Sequence, residues 1–297
     1  MFPENARMVF CIGAQKAGTT WLYHALRQSP HVHFSRNKEL HYFDVLSGKA
    51  QQVLDLRIGA ARNLSQRLAA ETGPRNRATL GHLQEMTSLL SIYTGDAGDH
   101  GPYLDYLLEH YRNQKIVCDI TPAYAILDRK VFEEMGQIGS AKFLFILRDP
   151  IDRMWSQIRM AVKVAGTPPE SFQEACETRA RHLINSNRLS RIERADYRRT
   201  MTELEAAIPT DRIQYLFYET LFQAETMAKL FNFLDIPRIE IEPETRSNPG
   251  LTATLPADLR TAFRRAFAPQ YDFIADRFGG AVPAGWAGDI IPALSAT

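Results

Sequence analysis

The sequence predicts an α/β fold in which a parallel β-sheet is flanked by helices on both faces and carries a helical insertion. Two observations indicate this fold. Short apolar runs typical of buried strands alternate with segments of helical periodicity, and a glycine-rich turn joins the first run to a helix. The chain has 297 residues, 45% of them hydrophobic and 23% charged, which is enough to form the core of one large domain.

Four segments have the composition of buried strands. They are RMVFCI (7–12), KIVCDI (115–120), KFLFILRDP (142–150) and RIQYLFYE (212–219). The first, third and fourth are each followed by a helical pattern, as expected for a parallel sheet. Ligands of such a sheet bind at the carboxyl ends of the strands, so we expect the chemistry in the loops that follow them. These loops begin after Ile12, Ile120, Leu147 and Phe217.

The chain is predicted to form a single domain over residues 1–297. Residues 46–112 contain helical patterns but no strand pattern, and we interpret them as a helical insertion over the sheet edge or the site. Residues 166–211 are a polar, arginine-rich helical segment. Residues 280–297 are expected to form a loosely held C-terminal tail.

Charge and cysteine content exclude several classes of protein. The 35 basic and 34 acidic residues give a net charge of +1, so no nucleic-acid partner is expected and any anion site must be local. No signal peptide is recognised, and no apolar stretch approaches the roughly 18 residues of a membrane span. Cys11, Cys118 and Cys176 are widely spaced, which favours buried free thiols over a disulfide or zinc site. These features predict a soluble, cytoplasmic protein without a metal.

The loop GAQKAGTTW (13–21) is the strongest indication of a binding site. A glycine-rich turn between a strand and a helix exposes backbone N–H groups where phosphate oxygens bind. Gly13 and Gly18 have the Walker spacing, but the next residue is Thr19 and the lysine lies inside the loop, at Lys16. A Walker lysine serves the β- and γ-phosphates, so this P-loop-like arrangement suits a nucleotide that lacks a γ-phosphate.

Two motifs resemble one family. GAQKAGTTWL resembles the 5′-phosphosulfate loop of the sulfotransferases that use 3′-phosphoadenosine-5′-phosphosulfate (PAPS), and FILRDPIDRMWSQ resembles their 3′-phosphate motif. The resemblance implies a P-loop-like α/β fold, PAPS as co-substrate, adenosine 3′,5′-bisphosphate as product and no metal. The cofactor-binding residues would then be Gly13, Gln15, Lys16, Ala17, Gly18, Thr19, Thr20, Arg148, Ser156 and Arg246.

The residue types agree with a second phosphate site. Arg148 at a strand end offers a permanently charged, forked donor, and Ser156 adds a hydroxyl about two helical turns further on. Alternatively, Arg148 caps the sheet edge or pairs with Asp149 or Asp152. Arg246 falls where the family places a loop over the adenine and the 3′-phosphate, and a solvated arginine is the other interpretation.

The segment SRNKELHYFD resembles the E-x-H-x-x-D pattern of the carbohydrate or heparan-sulfate branch of these enzymes, with Glu39, His41 and Asp44 at the matching positions. Sulfo transfer needs a base for the acceptor proton and a cation at the leaving oxygen. Glu39 is the candidate base and Lys16 the candidate cation. In an extended backbone Glu39 and His41 would share a face, so either could be the base and the other its orienter. Asp44 is expected to be a helix cap or a partner of these groups.

Each of these residues also has a purely structural interpretation. His41 would then be a packed histidine, and Glu39 a surface carboxylate paired with Lys38 or Arg36. The basic stretch 188–199 could likewise meet an anionic acceptor or form an exposed helix face.

The sequence departs from the heparan-type pattern at one position. The segment CDITPAYAIL resembles a strand and loop in which those relatives have a lysine before Ser/Thr-Pro, but Ile120 stands there in this chain. A heparan-like polyanionic acceptor is therefore disfavoured. His24, Arg36 and Lys38 are candidates to supply the missing cation, and the sequence does not rank them.

The predicted function is transfer of a sulfo group from PAPS to a hydroxyl, in preference to an amine, of a small molecule, lipid or saccharide. A P-loop kinase-like phosphotransferase is one alternative, and it would require magnesium and ATP. A catalytically inactive module that binds a nucleotide bisphosphate is the other. Glu39 and Lys16 weigh against the inactive module.

Overall fold

The apolar runs of the sequence form the strands of one parallel sheet. The computed structural model describes residues 1–70, 73, 75–96, 98–186, 188–189, 192–241 and 251–287. Within these residues the strands are β1 (Arg7–Gly13), β2 (Val32–Phe34), β3 (Ile116–Ile120), β4 (Lys142–Leu147) and β5 (Ile213–Phe217). All paired strands are parallel, in the order β2-β3-β1-β4-β5.

Helices fill the connections between the strands and follow β5. They are α1 (Thr19–Arg27), α2 (Tyr42–Leu46), α3 (Gln51–Ala70), α4 (Arg75–Leu90), α5 (Gly101–Leu107), α6 (Arg129–Gln137), α7 (Pro150–Val164), α8 (Phe172–Asn185), α9 (Tyr197–Ala207), α10 (Ala224–Leu234), α11 (Ala257–Phe278) and α12 (Ala284–Ala287). The predicted α/β fold with a parallel sheet and flanking helices is confirmed. None of the helices in these described ranges is long and apolar enough to cross a membrane.

The strand order opens a crevice at the carboxyl end of β1. Within the sheet, β2 and β3 lie on one side of β1, and β4 and β5 lie on its other side. Where the strand order reverses in this way, the loops that leave two neighbouring strands run to opposite faces of the sheet. A gap remains between these loops, and ligands bind in it. The loop after β1 is tied to both neighbours: Ala14 N donates to Ile146 O at 2.8 Å, and Thr121 N donates to Cys11 O at 3.1 Å.

The central strands are apolar throughout because both faces of the sheet are covered. Phe10 in β1 is fully buried, and its ring lies 5.6 Å from that of Phe43 and 5.5 Å from that of Phe143. The cysteines are buried free thiols, as predicted. Burial raises the pKa of Cys11 to about 12, so this thiol stays protonated and unreactive.

Two segments add to what the sequence indicated. β2 was not predicted, because a three-residue strand is too short to show a period, and it contains His33, whose Nε2 lies 2.8 Å from Leu107 O. Within the predicted loose tail 280–297, Trp286 is only 1% exposed and packs against Phe217. Packing therefore holds the chain as far as α12, and residues 288–297 lie outside the described part.

Candidate active site

The loop after β1, residues 13–20, is called the phosphate loop below. Gly18 precedes α1 with φ of +85°, and a Cβ there would lie 3.0 Å from side-chain atoms of Leu221 and Tyr218. Gly13 has φ of +151°, and its Cβ would lie 3.1 Å from Pro122 O. Both the backbone conformation and the close packing therefore require glycine at Gly18, and similar crowding favours it at Gly13.

Lys16 lies within the phosphate loop and its side chain reaches toward α7. Its φ is +70°, and Nζ lies 3.5 Å from Met160 Sδ. Burial lowers the pKa of Lys16, and the positive charges of Arg148 and Arg159 lower it further. Several cations thus surround one phosphate loop, an arrangement that a bound anion would stabilise.

Arg148, at the carboxyl end of β4, joins three strand-end loops. Its Nη1 donates to Lys16 O at 2.7 Å, and its Cζ lies 4.4 Å from the centroid of the Tyr218 ring, which follows β5. The neighbouring carboxylates are engaged elsewhere. Asp149 caps α7 and accepts a hydrogen bond from Tyr271 OH at 2.8 Å, while Asp152 accepts one from an arginine of α11 at 3.2 Å.

The remaining predicted phosphate ligands lie around the phosphate loop. Ser156 is partly buried on α7 and shares a helix face with Met160, one turn further on, which contacts Lys16. Thr19 begins α1 and is 5% exposed. Arg246 lies outside the described residues.

Two arginines that the sequence analysis did not select extend this positive region. Arg194 Nη1 donates to Gln15 Oε1 in the phosphate loop at 3.1 Å. Arg153 on α7 is 1% exposed, and its Nε and Nη2 have no hydrogen-bond partner among the described residues. Burial lowers the pKa of Arg153, and the charges of Arg148 and Arg194 lower it further. Such a guanidinium is costly to bury without an anion.

Residues 39–41, which precede α2, are called the base turn below. The backbone is not extended there, contrary to expectation: φ is 60° at Glu39 and 54° at His41. The two side chains nevertheless approach each other, with His41 Nε2 3.8 Å from Glu39 Oε2. His41 Nδ1 lies 2.7 Å from Oδ2 of Asp44, which is fully buried. Asp44 lies inside α2, so it is a partner of His41 and does not cap the helix.

The carboxylates and the imidazole shift each other's protonation. Burial alone would lower the pKa of His41, but its contacts with Asp44 and Glu39 outweigh burial and raise the pKa to about 9. Burial alone would raise the pKa of Glu39, but His41 and the charge of Lys38 lower it to about 2. At neutral pH Glu39 is therefore an anion and His41 a cation.

Lys38 connects the base turn to the phosphate loop. Its Nζ donates to Glu39 Oε1 at 2.7 Å and lies 3.5 Å from Thr20 Oγ1. Ile120, where the heparan-type pattern has lysine, is 2% exposed at the end of β3. Arg36 extends away from this region and donates to Glu109 at 3.2 Å. Lys38 thus has contacts on both sides of the site, as a supplier of the missing cation would.

A buried network supports the base turn from the sheet. Tyr103 and Tyr124 each donate to Asp119 Oδ2 at 3.0 Å, and Thr121 donates to Oδ1 at 2.6 Å. The Tyr124 hydroxyl also accepts the backbone N–H of Tyr42 at 3.1 Å. Burial raises the pKa of Asp119, and the three hydroxyl donors oppose that rise. The first residue of α2 is thus fixed to the end of β3.

An apolar cavity of about 910 Å³ lies beside α1. Its lining includes Trp21, Phe222, Met227, Phe231 and Ile239. Trp21 directly follows the phosphate loop, and its ring lies 4.8 Å from that of Phe222 in an edge-to-face arrangement. Because cavity and loop adjoin, one ligand with a flat apolar group and a phosphate can occupy both.

Comparison with known proteins agrees with this geometry. The sequence profile of the sulfotransferase family matches residues 8–240. The chain belongs to the sulfotransferase family. No curated protein shows significant sequence similarity to it.

Three solved sulfotransferase structures are similar to the chain. The sulfotransferase from Alicyclobacillus acidocaldarius aligns with a TM-score of 0.59 and 17% identity, over 91% of this chain and 94% of that one. The sulfotransferase domain of the Synechococcus PCC 7002 olefin synthase gives 0.49 and 15%, over 94% and 95%. The sulfotransferase domain from the curacin biosynthetic pathway gives 0.42 and 15%, over 79% and 75%. The first alignment establishes a shared fold.

Proposed function

We propose that this sulfotransferase-family chain moves a sulfo group from PAPS to a hydroxyl of a small molecule, lipid or saccharide, with an amine as the second choice of acceptor. Family membership supports a sulfo donor. The observation that carries the proposal is the position of Lys38, whose Nζ lies between Thr20 of the phosphate loop (3.5 Å) and the Glu39 carboxylate (2.7 Å). The candidate base and the phosphate loop thus lie on opposite sides of the Lys38 side chain.

The donor side is assigned from the positive groups around the phosphate loop. Backbone N–H groups of the loop and the hydroxyls of Thr19 and Thr20 would hold the 5′-phosphate. Arg148, with Ser156, would hold a second phosphate, and the buried guanidinium of Arg153 would add positive charge behind them. PAPS carries a 3′-phosphate and a 5′-phosphosulfate, so it requires two phosphate-binding sites. The two proposed sites therefore support PAPS over a mononucleotide donor.

The apolar cavity supports a nucleoside on the donor. Trp21 and Phe222 offer aromatic faces next to the phosphate loop, and aromatic side chains stack on bases favourably. We therefore place the adenine in this cavity. Gln15, held by Arg194, and Arg246 in the segment outside the described residues complete the proposed donor site.

The proposed reaction is an in-line displacement at sulfur. The acceptor oxygen forms a bond to sulfur while the bond between sulfur and the 5′-phosphate oxygen breaks, and adenosine 3′,5′-bisphosphate leaves. The acceptor proton passes to the Glu39 carboxylate. Lys16 stabilises the charge that develops on the leaving oxygen. Burial lowers the pKa of Lys16, and the nearby positive charges of Arg148 and Arg159, which the negative charge of the donor would offset, lower it further.

Protonation favours Glu39 over His41 as the base. A base must be unprotonated, and the pKa of about 9 leaves His41 protonated at neutral pH. Glu39, with a pKa of about 2, is ionised. We therefore assign Glu39 as the base and His41, held by Asp44, as the group that orients its carboxylate.

The acceptor class is the least constrained part of the proposal. The spacing of Glu39, His41 and Asp44 supports the carbohydrate-type branch, whereas the buried Ile120 weighs against a heparan-like polyanion. Lys38 is proposed to supply the cation that a lysine at position 120 would provide.

Transfer from ³⁵S-labelled PAPS to a metabolite extract, followed by mass detection of sulfo adducts, tests the proposal. Labelled adducts that disappear in Glu39→Gln, a variant that keeps the shape of the side chain but cannot take a proton, are expected. Tight binding of adenosine 3′,5′-bisphosphate without transfer to any acceptor would favour the inactive module. Consumption of ATP with magnesium would favour the kinase.

A further inference from the structure

The base turn has a backbone conformation that its own residues do not favour. Glu39 and His41 both have positive φ, at 60° and 54°. Side chains other than glycine adopt this left-handed region at a cost and persist in it only where the surrounding structure holds them. The residue between them, Leu40, is 1% exposed, which anchors the middle of the turn. The two outer residues need further contacts.

Arg57 of α3 provides two of these contacts. Its Nη1 donates to Leu40 O at 2.7 Å, and its Nη2 donates to Glu39 O at 2.9 Å. Tyr93, in the short turn Ser91–Tyr93 that follows α4, provides the rest: its hydroxyl lies 3.2 Å from Leu40 O and 3.2 Å from His41 O. Arg57 Nη1 also donates to this hydroxyl. Every carbonyl of the base turn is therefore within hydrogen-bond distance of one arginine or one tyrosine.

These contacts come from the predicted insertion, whose purpose the sequence did not reveal. Helix α3 runs for 20 residues, all of them described, and none of them is buried. It packs against α4, and the two helices are called the helical hairpin below. Helix α3 adds no fully buried side chain to the core, and its apolar residues are at most half-buried. Its polar contacts with the base turn are therefore a further reason for its position.

We propose that Arg57 of the helical hairpin and Tyr93, which follows the hairpin, are positioning residues that fix the base turn and aim Glu39 and His41 at the phosphate loop. The inference rests on the proposed function for the reaction that the turn serves, whereas the contacts are independent of it. A guanidinium fork can reach two carbonyls at once, and the single ammonium of lysine cannot hold both in the same geometry. Arg57→Lys therefore removes the clamp and keeps the charge.

The experiment compares Arg57→Lys with Arg62→Lys, which alters an exposed arginine on the same helix. NMR titration of the His41 ring, assigned with His41→Gln, reports the geometry of the turn in the full chain without any substrate. We expect the pKa of His41 to fall from about 9 toward its ordinary value of 6.5 in Arg57→Lys, because the ring no longer lies between Glu39 and Asp44. The control variant should titrate as the wild type does.

Kinetics supply the second measurement. A displaced base lowers kcat by about 10- to 100-fold. The Kd of adenosine 3′,5′-bisphosphate should change by less than about twofold, because it binds on the other side of the site. If the chain transfers no sulfo group at all, the proposed function fails while the His41 titration still decides this inference. Should Arg57→Lys not fold, Tyr93→Phe decides, with a smaller shift in the same direction. An unchanged His41 titration in the folded variant overturns the proposal.

Discussion

The phosphate loop and the base turn face each other but are built in different ways. The phosphate loop is a continuous stretch between β1 and α1, and its groups are mainly backbone N–H groups and hydroxyls. The base turn depends on distant side chains, since Arg57 lies 18 residues from Glu39 and Tyr124 lies 82 residues from Tyr42. One half of the site is local in the sequence, and the other is assembled by the fold.

This difference predicts which property of the protein a substitution in each region should change. A change at Arg148 or at the hydroxyls of the phosphate loop alters groups that hold the donor, whereas Lys16, although it lies in the loop, acts on the leaving oxygen. A change around the base turn alters the aim of the base and leaves the donor bound. Substitution of the groups that hold the donor should therefore change donor affinity, and substitution around the base turn should change kcat. The predictions below test this separation.

The largest effect is expected for Lys16→Ala. Loss of a preorganised positive donor at a leaving oxygen lowers kcat by about 10²- to 10³-fold. Donor affinity should fall much less, because the backbone N–H groups of the loop remain. Steady-state kinetics combined with calorimetry of adenosine 3′,5′-bisphosphate measures both quantities. Equal losses in kcat and affinity would remove the distinction between Lys16 and the spectator phosphate ligands.

Arg148→Ala should mainly weaken donor binding. Hydrogen bonds to a charged group contribute about 1.5–3 kcal/mol, so the Kd of adenosine 3′,5′-bisphosphate should rise by about 10- to 100-fold. AMP, which lacks the 3′-phosphate, is the matched ligand and should bind equally well to variant and wild type. If AMP binding weakens to the same extent, Arg148 acts by holding Lys16 O and not by binding the second phosphate.

Substitution at Lys38 should have a smaller effect, and Arg36 supplies its control. Lys38→Gln removes the cation between the phosphate loop and Glu39, and we expect kcat to fall about tenfold. Arg36→Gln removes exposed ion pairs with Glu85 and Glu109, which contribute little, so kcat should stay within about twofold. Indistinguishable kcat values for the two variants would mean that the cation missing at Ile120 is supplied elsewhere.

The smallest change in kcat/KM is expected when only the pH is varied near neutrality. His41 is protonated below its raised pKa, so kcat/KM should be constant through neutral pH and fall as the pH rises through about 9. Glu39, with its pKa lowered to about 2, should add no loss on the acid side until far below neutral pH. In His41→Gln the step near pH 9 should vanish. Its persistence at the same midpoint would assign the step to Lys16 or another group.

The position of the phosphate loop follows more directly from the sequence than the backbone of the base turn does, for a physical reason. A strand, a glycine turn and a helix follow one another in the chain, so the phosphate loop was predictable from spacing alone, and so was an arginine at the end of β4. The positive φ of Glu39 and His41 was not predictable, because it is imposed by Arg57 and Tyr93 from another part of the chain.

Other site residues could not be predicted from the sequence, because their role depends on how the fold buries them and which residues it brings together. Arg153 cannot be distinguished in the sequence from other helical charges. The fold shows that it is buried, with two nitrogens that have no hydrogen-bond partner among the described residues. Trp21 and Phe222 are 201 positions apart in the sequence and meet only across the folded cavity. Lys38, by contrast, was among the candidates, and its distances to Thr20 and Glu39 were needed to rank it.

The central claim is that two strand ends together bind a nucleotide that carries phosphates on both the 3′ and 5′ positions. Isothermal titration calorimetry of the wild-type chain with adenosine 3′,5′-bisphosphate and with AMP tests it most directly. We predict that the bisphosphate binds about 10- to 100-fold more tightly, corresponding to the charged hydrogen bonds at Arg148. Equal affinity for the two nucleotides would contradict the account.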